Sequence, residues 1–544
     1  MSWLGEGLRL RPAAIRRPFL ALALLGAVLA AAGCGEGAAP QAQQTPRPTP
    51  GATPVPAVTV DLASATDVLT VFGAEAGDFL ADRFALAAGD FNGDGKGDLL
   101  LGAPLGDGPN NGRMNAGEAY VLFGSSEPRG TVDLASGRQD LTIFGRGQGD
   151  NLGFVVARGD VNGDGIDDAL VGARFASPDA NRAQAGEAYV IFGSATLGGT
   201  VDIAGDEQDA TIAGAASGDF LGYALASGDI NGDDVDDVLA AAAGGDGPDD
   251  SRESGGEAYV VLGSPSLSGR VDVAAGQQAY TIWGAEPEDL LANFAASGDV
   301  NGDGMDDILL GTHKADGPDN QRPDGGEAYV ILGARNLKGT LDLAEGKDFL
   351  SISGGAAQDW LGFYLAAADV NGDGTDDIIV GARNADGPDD TRNNSGEVYV
   401  LFGASKLPKS IDIAREQQDV TIVGGRPGDL LGHALAAGDI NGDGVADVLA
   451  GAPTAAADGR RTEAGQVLAF FGSSAWPAVV DAAAGQANVI VSGAEAGDEL
   501  GFSVASADIN GDGVDDIIAG ALLADGPDNA RQDGGEAYLV LGRP

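Results

Sequence analysis

The stretch Asp160-Val161-Asn162-Gly163-Asp164-Gly165-Ile166-Asp167-Asp168 carries oxygen side chains at its first, third, fifth and ninth positions. Alternate residues of such a loop curl around one point, and the backbone carbonyl of the seventh residue can add another oxygen. Oxygen donors without sulfur or nitrogen suit a hard cation, and Ca²⁺ is the expected ion. Glycine at the sixth position permits the sharp turn. The same pattern starts at Asp90, Asp160, Asp229, Asp299, Asp369, Asp439 and Asp508, at spacings of 70, 69, 70, 70, 70 and 69 residues. So strict a period marks a repeat architecture.

All seven copies keep the four side-chain oxygens. The expected ligands are Asp90, Asn92, Asp94, the Lys96 carbonyl and Asp98 in the first loop, and Asp160, Asn162, Asp164, the Ile166 carbonyl and Asp168 in the second. In the third they are Asp229, Asn231, Asp233, Val235 and Asp237, and in the fourth Asp299, Asn301, Asp303, Met305 and Asp307. The fifth offers Asp369, Asn371, Asp373, Thr375 and Asp377, and the sixth Asp439, Asn441, Asp443, Val445 and Asp447. The seventh offers Asp508, Asn510, Asp512, Val514 and Asp516. Asp234 replaces the sixth-position glycine of the third loop, which is expected to strain or alter that site. Asn/Asp/Gly hairpin turns are the plain alternative, but turns do not need three to five aspartates in nine residues, whereas a cation does. Up to seven structural calcium ions are therefore expected.

Between successive loops lie four short apolar runs, such as Phe154–Ala157, Ala169–Ala173, Ala188–Phe192 and Thr211–Ala213, bounded by Gly, Asp and Pro. They read as strands. Seven repeats of four antiparallel strands give an all-β chain with the arithmetic of a seven-bladed β-propeller. Counted in phase, the first complete strand, Thr70–Gly73, is a fourth strand, and the last, Glu536–Leu541, is a third. The N-terminal strand is thus expected to complete the last blade and close the ring, with Asp67–Gly73 beside Ala537–Leu541, which leaves no open sheet edge. The propeller is placed at 58–544.

The chain has 544 residues, 89 of them glycine, with one Cys, two His and a net charge of -51. One cysteine excludes a disulfide framework and a Cys-rich zinc site. The acidity argues against nucleic acid or an anionic membrane surface as partner. Residues 1–33 combine a basic start (Arg9, Arg11, Arg16, Arg17) with a short apolar run and a small-residue end, which reads as an export signal. The lone Cys34 follows directly. This stretch resembles a bacterial lipoprotein signal, which implies lipidation at Cys34, although Ala31 stands where that family usually has Leu. Residues 34–57, with Pro40, Pro46, Pro48, Pro50, Pro54 and Pro56, read as an extended tether. The expected location is outside the cytoplasm, with contact to a bacterial membrane or cell surface made through the lipid alone.

From about residue 60 onward the chain resembles the FG-GAP repeats of the integrin alpha-chain N-terminal propeller. Leu152-Gly153 and Leu361-Gly362 stand where that family has Phe-Gly, and Gly102-Ala103-Pro104 and Gly451-Ala452-Pro453 match its Gly-Ala-Pro. The resemblance implies calcium in the loops joining strands one and two, and adhesion or ligand binding on the opposite face. The leading expectation is a non-catalytic adhesion or recognition module for an unidentified protein or glycan. A propeller-scaffold enzyme, hydrolase or lyase, and a structural surface-layer component are the alternatives.

Other recurrent features have plainer readings. An Arg stands five residues before the third-strand Glu in every repeat (Arg113, Arg182, Arg252, Arg322, Arg392, Arg461 and Arg531), with Gln466 replacing Glu in the sixth. An Arg–carboxylate clamp is the expected role. Asp-Gly-Pro-Asp segments, as at 246–249 and 386–389, read as turns; a second calcium site with Glu257 or Glu397 is the alternative. Arg158-Gly159-Asp160 is an incidental tripeptide, because Asp160 opens a calcium loop. His433 is expected as a packed strand residue, and Trp283 and Trp360 as filling between blades.

Overall fold

The computed structural model describes residues 57–544 apart from residue 458. The signal over 1–33, Cys34 and all but the last residue of the tether lie outside the described residues. No α-helix occurs among the described residues, so none could cross a membrane as a helix. Seven sheets form the body. The first strands of blades one to seven are Leu86–Gly89, Leu152–Gly159, Leu221–Gly228, Phe294–Gly298, Leu361–Ala368, Leu435–Gly438 and Leu500–Ala507. They touch one another in a closed cycle, Leu500–Ala507 against Leu86–Gly89 included, and so line the axis of a seven-bladed propeller.

Blade two shows the plan. Leu152–Gly159, Asp168–Ala173, Glu187–Ile191 and Ala210–Ala213 pair antiparallel in sequence order. Every residue of the second and third strands is buried. Neighbouring blades cover both faces of these central strands, so their apolar runs are continuous rather than alternating. The four antiparallel strands expected from the period are joined by a fifth. Gly269–Asp272, which belongs to the following repeat and ends in Val271-Asp272, pairs parallel with Ala210–Ala213 at the outer edge.

The ring closes as expected. Leu69–Phe72 pairs antiparallel with Glu536–Val540, with Val71 opposite Ala537, and supplies the fourth strand of blade seven. A second N-terminal strand, Val58–Asp61, lies parallel to Val489–Ser492 as the outer strand of blade six. The N-terminal segment therefore clasps two blades. Close blade-to-blade approach also accounts for part of the glycine content. Gly186, at φ 82°, sits so near the Leu221 backbone that a Cβ there would collide with it.

The recurrent arginines are clamps. Arg182 donates to both oxygens of Asp272 at 2.7 and 3.0 Å and to the Gly214 carbonyl at 2.9 Å. It thereby pins the outer strand to the end of the fourth. The other six pairs are Arg113–Asp202, Arg252–Asp342, Arg322–Asp412, Arg392–Asp481, Arg461–Asp61 and Arg531–Asp133. Asp272 also caps the following 3-10 turn by accepting from the Ala274 N–H at 3.1 Å. The hydrogen bond from Arg182 holds the Asp272 carboxyl below the usual carboxylate range.

Two outcomes follow. Deleting residues 58–72 removes the fourth strand of blade seven and the outer strand of blade six. It should lower the thermal unfolding midpoint, with about 2–3 kcal/mol lost for a fully buried side chain such as Val71; an unchanged midpoint would contradict the clasp. The depressed Asp272 contributes stability that is present above the unfolded Asp value of about 3.9 and is lost as pH falls through its lower folded value. The partly exposed clamp removed by Arg182→Ala should therefore cost about 1 kcal/mol near pH 6. That cost should shrink as pH drops below about 4, as read from denaturant midpoints of the variant and its parent.

Candidate metal centre

Each nine-residue loop joins the first and second strands of its blade. In blade two, Asp160 accepts the N–H groups of Gly163 (2.7 Å), Asp164 (3.0 Å) and Gly165 (2.7 Å), which draws the loop into a curl around its carboxylate. Asp164 accepts the Ile166 N–H at 3.0 Å. Asp168 closes the loop from inside. One of its oxygens accepts the Val161 N–H at 3.1 Å, and the other accepts the Asn162 amide at 3.1 Å and the Gly193 N–H at 2.8 Å. Because Gly193 follows the third strand, this carboxylate ties the loop to the whole blade.

Asp168 is 0 % exposed, as are Asp98, Asp237, Asp307, Asp377, Asp447 and Asp516 in the sister loops. Burial, aided by Asp164 and Asp160 and opposed by the Gly193 N–H, pushes the Asp168 carboxyl up to about 7. The other six ninth-position aspartates are likewise pushed up to about 7 by burial. A buried carboxylate with two more nearby is a costly arrangement that a bound cation would relieve. Among the described residues, no three His, Cys, Asp or Glu side chains already close on one point. The loops thus fit a hard cation by their curl, their oxygen donors and their excess negative charge, and not as a finished cage. In all seven blades the sixth-residue N–H turns back onto the first-position aspartate, so the loop carrying the expected ligands has the same curl throughout.

The third loop is not distorted. Asp234 adopts φ 65°, the left-handed conformation that aspartate tolerates better than most residues, and its N–H reaches Asp229 at 2.9 Å as the glycines' do. The first loop differs in another way, because Lys96 pairs with Asp94 at 2.9 Å. The eighth-position aspartates have a role that spacing did not reveal. Asp236 accepts the Asp160 N–H at 3.0 Å, while the Asp236 N–H donates to the Asp160 carbonyl at 3.1 Å. Each such residue links its loop to that of the preceding blade. Where Gly97 and Ala446 stand instead, the backbone half of the link persists. Arg158 of the Arg-Gly-Asp tripeptide pairs with Asp167 at 3.3 Å, within this seam.

Aromatic side chains plug the axis. Phe84 packs against Phe154, Phe294 and Tyr364, and the Phe294 and Tyr364 rings lie 3.8 Å apart. Both histidines belong to this neighbourhood. His433, 2 % exposed, packs between Phe363 and Phe502 with Arg383 at 2.8 Å from its Nδ1. His313 stacks edge-on to Trp360 and Phe363. Burial, reinforced by nearby cationic side chains, lowers both well below the ordinary histidine range. The Asp-Gly-Pro segments form short 3-10 turns, such as Pro248–Asp250, at the opposite end of the blades from the nine-residue loops.

Comparison with known proteins agrees with this architecture. A family model described as FG-GAP repeat matches residues 84–122, 152–191, 365–401, 431–470 and 500–540, which correspond to blades one, two, five, six and seven. A phosphatidylinositol-glycan-specific phospholipase D of Bos taurus is 33% identical over 184 residues, covering 34% of this chain and 21% of that protein. Integrin alpha-PS2 of Drosophila melanogaster is 28% identical over 241 residues, covering 43% and 15%. Integrin alpha pat-2 of Caenorhabditis briggsae is 30% identical over 278 residues, covering 47% and 19%. The chain spans about a fifth or less of the length of these relatives. With seven blades around a closed axis, five of them matched by FG-GAP repeats, the described body is a seven-bladed β-propeller that is similar to FG-GAP repeat proteins.

Proposed function

We propose that this chain is an exported, calcium-loaded recognition module, held at a bacterial membrane or cell surface by a lipid on Cys34, that binds a protein or glycan without catalysing a reaction. The single observation that carries the calcium reading is the fully buried ninth-position aspartate, repeated in seven curled loops that each carry further oxygen side chains. Extracellular calcium modules bind at about 10⁻⁴–10⁻³ M. At ten times such a dissociation constant, each filled site adds about 1.4 kcal/mol by mass action. Seven sites would then contribute as much as the net stability of a whole domain, so the role of the metal is structural.

The recognition reading rests on the integrin-like architecture and on the uniformity of the blades. An active site at the propeller axis needs unlike polar groups from several blades. The two histidines there are closed off by aromatic rings and held neutral, which does not favour proton transfer. The export and anchor rest on the sequence around Cys34.

Two measurements test these statements. Asp164→Ala removes an exposed fifth-position oxygen and should lower bound calcium by one ion per chain with folding retained; an unchanged count would remove blade two from the calcium reading. The calcium-loaded protein, screened against matrix proteins and glycan arrays alongside a panel of hydrolase substrates, should bind a ligand and turn none over. Turnover abolished by one substitution near the axis would overturn the non-catalytic reading.

A further inference from the structure

Cations gather at the end of the propeller axis that faces away from the nine-residue loops, where first strands begin and second strands end. Arg174, His313 and Arg383 each follow the last residue of a second strand. They occupy one equivalent position, which is Pro104 in blade one, Ala243 in blade three and Pro453 in blade six. Lys314 stands beside His313, and Arg83 precedes the first strand of blade one. The cationic side chains lie over aromatic rings. Arg83 is 5.1 Å from the Phe363 ring and 5.5 Å from Phe84, while Arg383 is 4.1 Å from Phe363 and 4.8 Å from Trp360. Lys314 is 4.4 Å from Trp360, and Arg174 is 3.5 Å from Phe154. Apart from Arg146 over Tyr189, every cation–π contact among the described residues lies here. In a chain of net charge -51, such a gathering of positive charge needs a cause.

A cation on a ring face is held from one side and keeps N–H groups for an anion on the other. Arg83 forms no ion pair among the described residues, and Lys314 meets Asp324 at 3.9 Å. A buried donor lies in the same place. Arg383 sits 2.8 Å from His433 Nδ1; arginine can only donate, so that nitrogen accepts and the ring proton is on Nε2. His433 is 2% exposed, and its Nε2 has no hydrogen-bond partner among the described residues; nor has Nδ1 of His313, which is 6% exposed. An unanswered N–H beside two guanidiniums calls for an acceptor. Glu499 of blade seven is within electrostatic reach of Arg383, and burial, with Glu463 adding, pushes it up to about 7. Trp360 and Phe220 hold φ 59° and 61°, left-handed values that cost bulky residues energy and that cluster at ligand sites.

We propose that this axial end binds an acidic sugar, with its carboxylate or sulfate group held by Arg83, Arg383 and Lys314. The inference rests on the recognition reading above and names the class of ligand. A guanidinium pairs with either group through parallel N–H bonds. The half-buried rings of Trp360, Phe175 and Phe220 at the same end offer faces to the apolar side of a pyranose. A protein partner would need apolar anchors instead. The exposed large apolar side chains, Val58, Met114, Leu262, Leu332 and Val479, all lie elsewhere. The overall charge repels an extended polyanion, so the ligand is a short or terminal acidic sugar that meets the positive end alone.

The test titrates the full chain, with calcium present, with sialyllactose, sulfated lactose and plain lactose in a calorimeter. One or both acidic sugars should bind and lactose should not; which of them binds tells carboxylate from sulfate. Arg83→Gln and Arg383→Ala, the second taking the residue that blade three carries at that position, should each weaken binding about tenfold. His433→Phe takes the ring of Phe154, Phe363 and Phe502, so the fold should persist, and the loss of the acceptor that holds Arg383 should weaken binding. Arg129→Gln, the same change of charge at an exposed loop, should leave binding unchanged, and unfolding midpoints of all variants separate lost binding from lost folding. No binding of either acidic sugar, equal binding of all three, or unchanged binding in Arg83→Gln and Arg383→Ala would overturn the proposal. Stronger competition by a poly-glutamate peptide would also overturn it, in favour of an acidic protein. A neutral glycan or a protein that binds these variants undiminished leaves the recognition reading standing while this one fails. An acidic sugar that is bound and turned over keeps the site and rejects the non-catalytic reading.

Discussion

A carboxylate with no access to water holds each blade together at the start of its second strand. Asp168 and its six counterparts accept N–H groups from the loop before them and from the end of the third strand. Removing such a group would loosen the turn, the strand pair and the blade edge at once. Keeping it ionised in the interior is unfavourable unless positive charge is near. The rest of the loop answers that constraint, because two further carboxylates and an amide are curled around the same turn. Negative charge is thus concentrated at seven buried points in a chain of net charge -51, and this is the ground on which the calcium proposal rests.

Around these points the blades are tied in three ways. The eighth-position aspartates stitch neighbouring loops on one face. The Arg–Asp clamps fasten the outer parallel strands. The N-terminal segment closes the ring by completing blade seven and edging blade six. Each tie crosses between repeats, so a blade is not an independent unit, and its outer strand is supplied by the chain of the next repeat.

Much of this was legible in the sequence. The 70-residue period, the turn residues and the strand phase gave the seven blades, their antiparallel strands and the closure by Leu69–Phe72. The position of the nine-residue loops between first and second strands was legible because alternate oxygens and glycines in nine residues are a local pattern. What stayed hidden is what local pattern does not encode. A Val-Asp pair recurs with the period, as Val60-Asp61, Val132-Asp133 and Val201-Asp202, but so short a run does not say which strand it pairs with, so the parallel outer strand and the role of Val58–Asp61 came only from the structure. The role of Asp236 was hidden because its partner lies 76 residues away. The convergence of both histidines near the axis was invisible because they come from different blades. The expected strain at Asp234 did not arise, since aspartate can take the left-handed backbone that the turn demands.

If the proposed calcium sites are filled, the rigidity of the propeller is conditional on calcium. The most direct test is the thermal unfolding midpoint of the full chain as free calcium is varied from chelator excess to about 10 mM, well above the expected dissociation constants. The account predicts a midpoint that rises steeply and continuously with calcium, by an amount that reflects several sites acting together. A midpoint indifferent to chelator would contradict it.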